Sequence, residues 1–392
     1  MKPGRLLKFF LITLFLLLAA QSILWAQTPR TLKMARFMAH KENKLILMEF
    51  YREDCEYCEK ANQEAGQNPQ MKQTLAKVMH LPLDVLRDEG GELARQYNVG
   101  TTYPVFILVN IDGDVISRWI GYNGPHRFIT TLNKALADPI TINQRAARFE
   151  KNPDYAEALY LAGYNSEIGE YLKAVDYYRR AGQLGEKKKD FSFDIFKNYA
   201  NAAWKDSIPF DQVLPSADSV LVSGNISGND KIMAIKILGR LARDKNTTDW
   251  LIPYLQKGLD LTRATQTEES IAAYDLFRGD QALYARHDTA GAIVIQQTSL
   301  GPDWQKDPEK YFAFARWCLE RKIHLDEAET YARQALQRAT GDRFRAMIMA
   351  TIGQICEARG NSDQAEAMYK AAVETDPTTR YFKTLLENIQ EE

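Results

Sequence analysis

The sequence predicts an α/β domain near the N-terminus followed by an all-α solenoid of helical hairpins. Three observations predict it. A short apolar run, Leu45 to Phe50, ends in polar residues and leads into Cys55 and Cys58 within KLILMEFYREDCEYCEK. Strand-like runs recur as far as Ile120 and largely vanish beyond Ala137-Asp138-Pro139. Past that point, small residues recur at matching offsets inside amphipathic helical patterns. The boundaries drawn from these observations are a leader over 1–26, the α/β domain over 27–138 and the helical domain over 139–392.

The leader reads as a secretory signal peptide. Lys2, Arg5 and Lys8 precede an apolar stretch, Phe9 to Ala20, broken only by Thr13, and Ala26-Gln27 offers a cleavage point. That is a basic segment, an apolar segment and a small residue before the cut. The alternative is a retained N-terminal anchor, because the apolar segment counted through Ala26 approaches bilayer-spanning length. Export, to a periplasmic or extracellular location, implies an oxidising compartment. Four cysteines in 392 residues exclude a disulfide-scaffold fold. The formal charge is −1; losing residues 1–26 removes three basic and no acidic groups, leaving −4. With no basic tract, nucleic acid is excluded as an expected partner.

Within the α/β domain, TLKMARFMAHKEN over 31–43 reads as a helix. Leu45 to Phe50 reads as a buried strand, being a short apolar run bounded by polar residues. A helix carrying the two cysteines follows and stops near Gly66. Asn68-Pro69 supplies an N-cap and a first-turn proline for a helix through about Val78. HLPLDV over 80–85 alternates as a strand, and Glu89 to Tyr97 is helical. Pro104 to Asn110 and Val115 to Ile120 form a hairpin around Asp112-Gly113, with Gly121 closing it. His126 to Ala137 is an amphipathic helix with Phe128, Ile129, Leu132 and Leu136 on one face.

Cys55 and Cys58 carry the chemistry. A Cys-x-x-Cys after a strand can occupy the first turn of a helix, where unpaired N–H groups and the helix dipole stabilise a thiolate. The first cysteine then attacks a disulfide and the second resolves the mixed disulfide, closing a Cys55–Cys58 bond. A zinc half-site needs further Cys or His ligands at suitable spacing, whereas Cys318 and Cys356 stand far off and the five histidines are scattered. A purely structural disulfide would close a very small loop and gain little from chain entropy. No external cofactor is called for.

The order α-β-α-β-α-β-β-α, with the cysteine pair after the first core strand, resembles the thioredoxin fold over about residues 31–138. Glu49 stands six residues before Cys55, where thioredoxins carry a buried acid. Pro104 opens a strand where the family has a cis-proline facing the disulfide. DGDVISRWIGY, Asp112 to Tyr122, resembles the family's terminal hairpin and its glycine. The stretch is most similar to exported thioredoxin-like proteins related to the C-terminal domain of the transmembrane reductase DsbD. The resemblance implies that Glu49 shuttles a proton for Cys58, that Pro104 lies beside the disulfide, and that Tyr103 and Tyr57 shape the substrate groove. The chain departs from thioredoxin in having Asp54 before the first cysteine and Glu56-Tyr57 between the two, and the run from Val99 to Pro104 is one residue longer. Glu53, Asp54, Glu56 and Glu59 disfavour a thiolate, with Arg52 and Lys60 offsetting part of that. A less stabilised thiolate makes a more reducing couple, which favours a disulfide reductase.

The helical domain carries a repeated pattern. In 157–181 it falls on Leu161-Ala162, Gly169, Tyr171, Ala174, Tyr178 and Ala181. In 352–377 it returns with Gly353, Gly360, Ala365, Tyr369, Ala372 and Pro377. A weaker copy over 316–336 has Ala328, Ala332 and Ala335. From Ala328 to Ala365 is 37 residues, near the ~34-residue period of the tetratricopeptide repeat, which these segments resemble. The region 190–305 is expected to form irregular helical hairpins in the same stack, with SGNISGND over 223–230 as a loop. Cys318 and Cys356 are expected as buried free thiols, since their offsets in the repeat differ.

Two functions follow from this reading. The first is an exported thiol–disulfide oxidoreductase acting on protein disulfides, with a repeat domain that recruits a protein partner and a membrane reductase as electron donor. The second is a scaffold or adaptor whose repeat domain binds proteins and whose first domain senses redox state.

Overall fold

The computed structural model describes residues 29–52, 55–185 and 189–391. The proposed leader, residues 1–26, lies outside these residues, as do Glu53 and Asp54. The chain divides into two compact units, the first ending at Ile168 and the second running from Gly169.

The first unit is built on a four-stranded sheet in the order β2-β1-β3-β4: β1 is Ile46–Tyr51, β2 Met79–Asp84, β3 Val105–Val109 and β4 Val115–Ile120. β2 runs parallel to β1, and β3 and β4 follow antiparallel. A parallel pair needs a crossover connection. Here it is helical and split in two, α2 over Glu56–Gln67 and α3 over Pro69–Leu75. Asn68 ends one helix and caps the next, its Oδ1 accepting from Met71 N at 3.0 Å, with Pro69 in the first turn. α3 stops at Leu75, short of the Val78 expected from sequence, because Met79 N must reach Leu45 O and start β2.

Alternation divides the sheet residues between two faces. Ile46, Met48, Phe50, Leu81, Leu83 and Ile107 pack against α1, Leu32–Glu42, and against Leu93 of α4, Asp88–Gln96. Leu47, Phe106, Leu108 and Ile116 pack on the other side against Ala61 of α2, Met71 of α3, and Phe128 and Leu132 of α5, Pro125–Ala137. The β3–β4 turn uses Gly113 at φ 94°, and Asn110 Oδ1 accepts from the N–H of Asp112 and Asp114.

The first unit does not stop near Pro139. A hairpin of α6, Ile142–Lys151, and α7, Tyr155–Glu167, belongs to it. α6 lies against β4, the outer strand on that side. Tyr160 Oη donates to the Ile116 carbonyl at 3.2 Å, satisfying a backbone group on a strand edge that would otherwise face outward. Arg118, buried on β4, donates to the carbonyls of Tyr97 (2.7 Å) and Asn98 (3.0 Å) and faces Glu167 at 3.6 Å. Asp138 and Glu157 both pair with Arg145 and Arg148 across the connection.

The second unit is all helical. It runs from α8, Tyr171–Leu184, and α9, Ser192–Trp204, to α18, Ser362–Thr375, and α19, Arg380–Glu391. Between them lie α10 (Leu214–Val222), α11 (Gly228–Asp244), α12 (Ile252–Thr265), α13 (Glu268–Asp280), α14 (Thr289–Ser299), α15 (Pro308–Arg321), α16 (Leu325–Arg338) and α17 (Asp342–Ala358). α11 begins inside the expected loop, because Ser227 caps it with Oγ accepting from Asp230 N. Ala328, Ala332, Ala335, Ala365, Tyr369 and Ala372, six of the repeat positions read from sequence, are fully buried, whereas Gly360 and Pro377 are exposed. A Cβ on Gly353 would lie 2.5 Å from the Tyr369 ring, so the close crossing of α17 and α18 requires glycine there. Cys318 and Cys356 are buried and unpaired, and burial pushes the Cys318 thiol up to about 12.

Candidate active site

Cys55 is the N-cap of α2. It has extended backbone angles, and its Sγ accepts from Cys58 N at 3.2 Å. A capping position normally takes a side-chain oxygen; here sulfur fills it. Cys55 O also accepts from Cys58 N and Glu59 N, both at 3.0 Å, closing the first turn. The two cysteines are disulfide-bonded with Cα atoms 5.2 Å apart. Cys58 is 1% exposed, while Cys55 is half-buried. When the bond is reduced, the N–H that now meets Cys55 sulfur would meet a thiolate, a charge-assisted contact at the positive end of a helix. Glu56 and Glu59 in the same turn oppose that charge.

The Tyr103-Pro104 peptide bond is cis. Pro104 precedes β3, and pairing of Val105 with Phe50 sets it beside the end of β1 from which the chain runs to Cys55. Its carbonyl accepts from Gly121 N at 2.7 Å, fixing it against the end of β4. Pro104 is buried and Tyr103 half-buried; Tyr57 is 59% exposed on the first turn of α2. Cys55, Cys58, Tyr103 and Pro104 thus gather at one end of the sheet.

Glu49 lies inside the sheet and is 3% exposed. Its strand parity is that of Leu47, so it sits on the face that α2 covers. Oε2 is 2.7 Å from Nε2 of His80, on the adjacent strand β2, while Oε1 is buried without a hydrogen-bond partner among the described residues. His80 was not singled out by the sequence. The signal for it is the alternation of HLPLDV, which puts His80 on the α2 face once the β1–β2 register is known. On the same face, Tyr122 Oη donates to Glu64 at 2.5 Å; burial and that carboxylate push the phenol pKa well above its usual value.

Residues 32–136 match a family model described as a thioredoxin-like domain. Residues 32–136 form a thioredoxin-like domain, and an all-helical region follows it. Solved structures to which the chain is similar include a tetratricopeptide repeat protein from Parabacteroides merdae, 15% identical, covering 64% of this chain and 91% of that one, with a TM-score of 0.41. Another is YrrB, a tetratricopeptide repeat protein with a peptide-binding site, 16% identical, covering 63% and 98%, with a TM-score of 0.29. No curated protein matches the chain.

Proposed function

We propose that the protein is an exported thiol–disulfide oxidoreductase acting chiefly as a reductase, with the helical unit recruiting a protein partner. The observation that carries this reading is the Cys55–Cys58 disulfide at the N-terminus of α2, with Cys55 sulfur already accepting a backbone N–H. In the reducing direction, Cys55 thiolate attacks a substrate disulfide and forms a mixed disulfide, releasing one substrate thiolate. Cys58 then attacks Cys55 sulfur, closing the Cys55–Cys58 bond and releasing the second thiolate. Two electrons pass to the substrate. A dithiol donor restores the pair, a role that suits a membrane reductase. Half-exposed Cys55 supports its assignment as nucleophile, and buried Cys58 its assignment as resolving thiol.

Pro104 and Tyr103 are assigned to the groove that holds the substrate chain, with exposed Tyr57 on its rim. Glu49 is assigned to proton transfer with Cys58, because it is buried on the face under α2 with one oxygen unsatisfied. Export rests on the basic and apolar pattern of residues 1–26. Among the described residues no helix is long and apolar enough to cross a membrane. Insulin reduction with dithiothreitol as donor tests the reading. The wild-type chain should accelerate it, and Cys55→Ser should abolish the acceleration, since serine forms no mixed disulfide; retained activity in that variant contradicts the mechanism.

A further inference from the structure

We infer that His80 is a positioning residue that connects buried Glu49 to solvent and carries the proton that Cys58 loses and regains in each cycle. This rests on the reading of Cys55 and Cys58 as a working exchange pair.

A buried carboxylate that takes a proton must pass it on before the next turnover. Glu49, 3% exposed, has no direct route of its own. Its one hydrogen-bond partner among the described residues is His80 Nε2 at 2.7 Å, and the His80 side chain is 25% exposed. One end of the imidazole therefore meets the acid while part of the ring reaches water. Histidine suits this because its two ring nitrogens can accept a proton on one side and release one on the other.

The surroundings leave the pair without a competing partner. From α2, Cys58 and Glu64 turn inward, and Glu64 is taken by the Tyr122 hydroxyl. The charged residues of α3 and α5, namely Lys72, His126, Arg127 and Lys134, are exposed. None of these hydrogen-bonds or ion-pairs with Glu49 or His80 among the described residues.

The step balances as follows. In the mixed disulfide, Cys58 thiol gives its proton to the Glu49 carboxylate. The thiolate attacks Cys55 sulfur; the Cys55–Cys58 bond forms and the bond from Cys55 to the substrate sulfur breaks. The electron pair leaves on the substrate thiolate, which water protonates. The His80 ring, in the tautomer that carries its proton on Nδ1, accepts the Glu49 proton at Nε2 and releases the Nδ1 proton to solvent. Reduction by dithiothreitol returns the pair along the reverse path.

The test uses the full chain, insulin as substrate and dithiothreitol as donor. His80→Ala should slow turnover by about a hundredfold, the lower reach of general acid–base effects, and added imidazole should restore the rate in proportion to its concentration. His80→Gln, which keeps a hydrogen-bond donor but carries no proton, should be slowed comparably with its melting temperature held. It carries the test if His80→Ala does not fold. A wild-type rate in either folded variant, or a slowed His80→Ala that imidazole leaves unchanged, overturns the relay alone. A wild-type chain that reduces no disulfide overturns the exchange reading and the relay with it.

Discussion

At the scale of single residues, the account turns on groups whose identity cannot be exchanged. Glu49→Gln keeps the shape but cannot take a proton, so turnover should fall by about a hundredfold or more at neutral pH. The circular dichroism spectrum should be unchanged; an unaltered rate across pH would make Glu49 purely structural. In the helical unit, Gly353→Ala forces a methyl into the Tyr369 ring, where the crossing leaves 2.5 Å. Overpacking of this kind costs about 1–3 kcal/mol, to be read from chemical denaturation. The cysteine pair was legible from its place after a short apolar run, and Glu49 and Pro104 from the resemblance to thioredoxins. His80 was not, because its role needs the parallel register of β1 and β2, and that pairing joins residues 31 apart in sequence.

At the scale of elements, strands and helices came within a few residues of their sequence-derived limits, since hydrophobic period and capping residues are local signals. The α6–α7 hairpin clusters with the first unit, beyond the boundary near Pro139 expected from sequence and beyond residue 136, where the family model ends. Leu161 and Ala162, repeat positions read from sequence, mark α7 as helical-hairpin material. Its attachment depends on Tyr160 meeting a β4 carbonyl and Glu167 facing Arg118, contacts that no periodicity encodes. A fragment ending at 138 should therefore be less stable than one ending at 168 by about 2–4 kcal/mol, the cost of stranding buried polar groups. Equal denaturation midpoints would return the boundary to Pro139. Burial raises the pKa of Glu167, against the pull of Arg118. A carboxylate raised in the folded state favours folding below its unfolded pKa, and that contribution is lost as pH rises through the folded one. Comparing Glu167→Gln with wild type over that window should show wild type losing ground as pH rises; a constant difference would contradict it.

At the scale of the whole molecule, a thioredoxin-like unit and a helical unit share one chain, each with its own core. Consecutive helices of the second unit pack on their neighbours, so residues 169–392 should remain helical when expressed alone. That fragment should carry no insulin-reducing activity, because Cys318 and Cys356 are buried thiols. The measurement that reaches the central claim most directly is trapping with Cys58→Ser in the full chain. With the resolving thiol gone, Cys55 should hold substrate proteins in mixed disulfides that dithiothreitol releases, and the double variant Cys55→Ser/Cys58→Ser should hold none. A Cys58→Ser chain that accumulates no dithiothreitol-sensitive adducts when offered disulfide-bonded proteins would contradict thiol–disulfide exchange as its function.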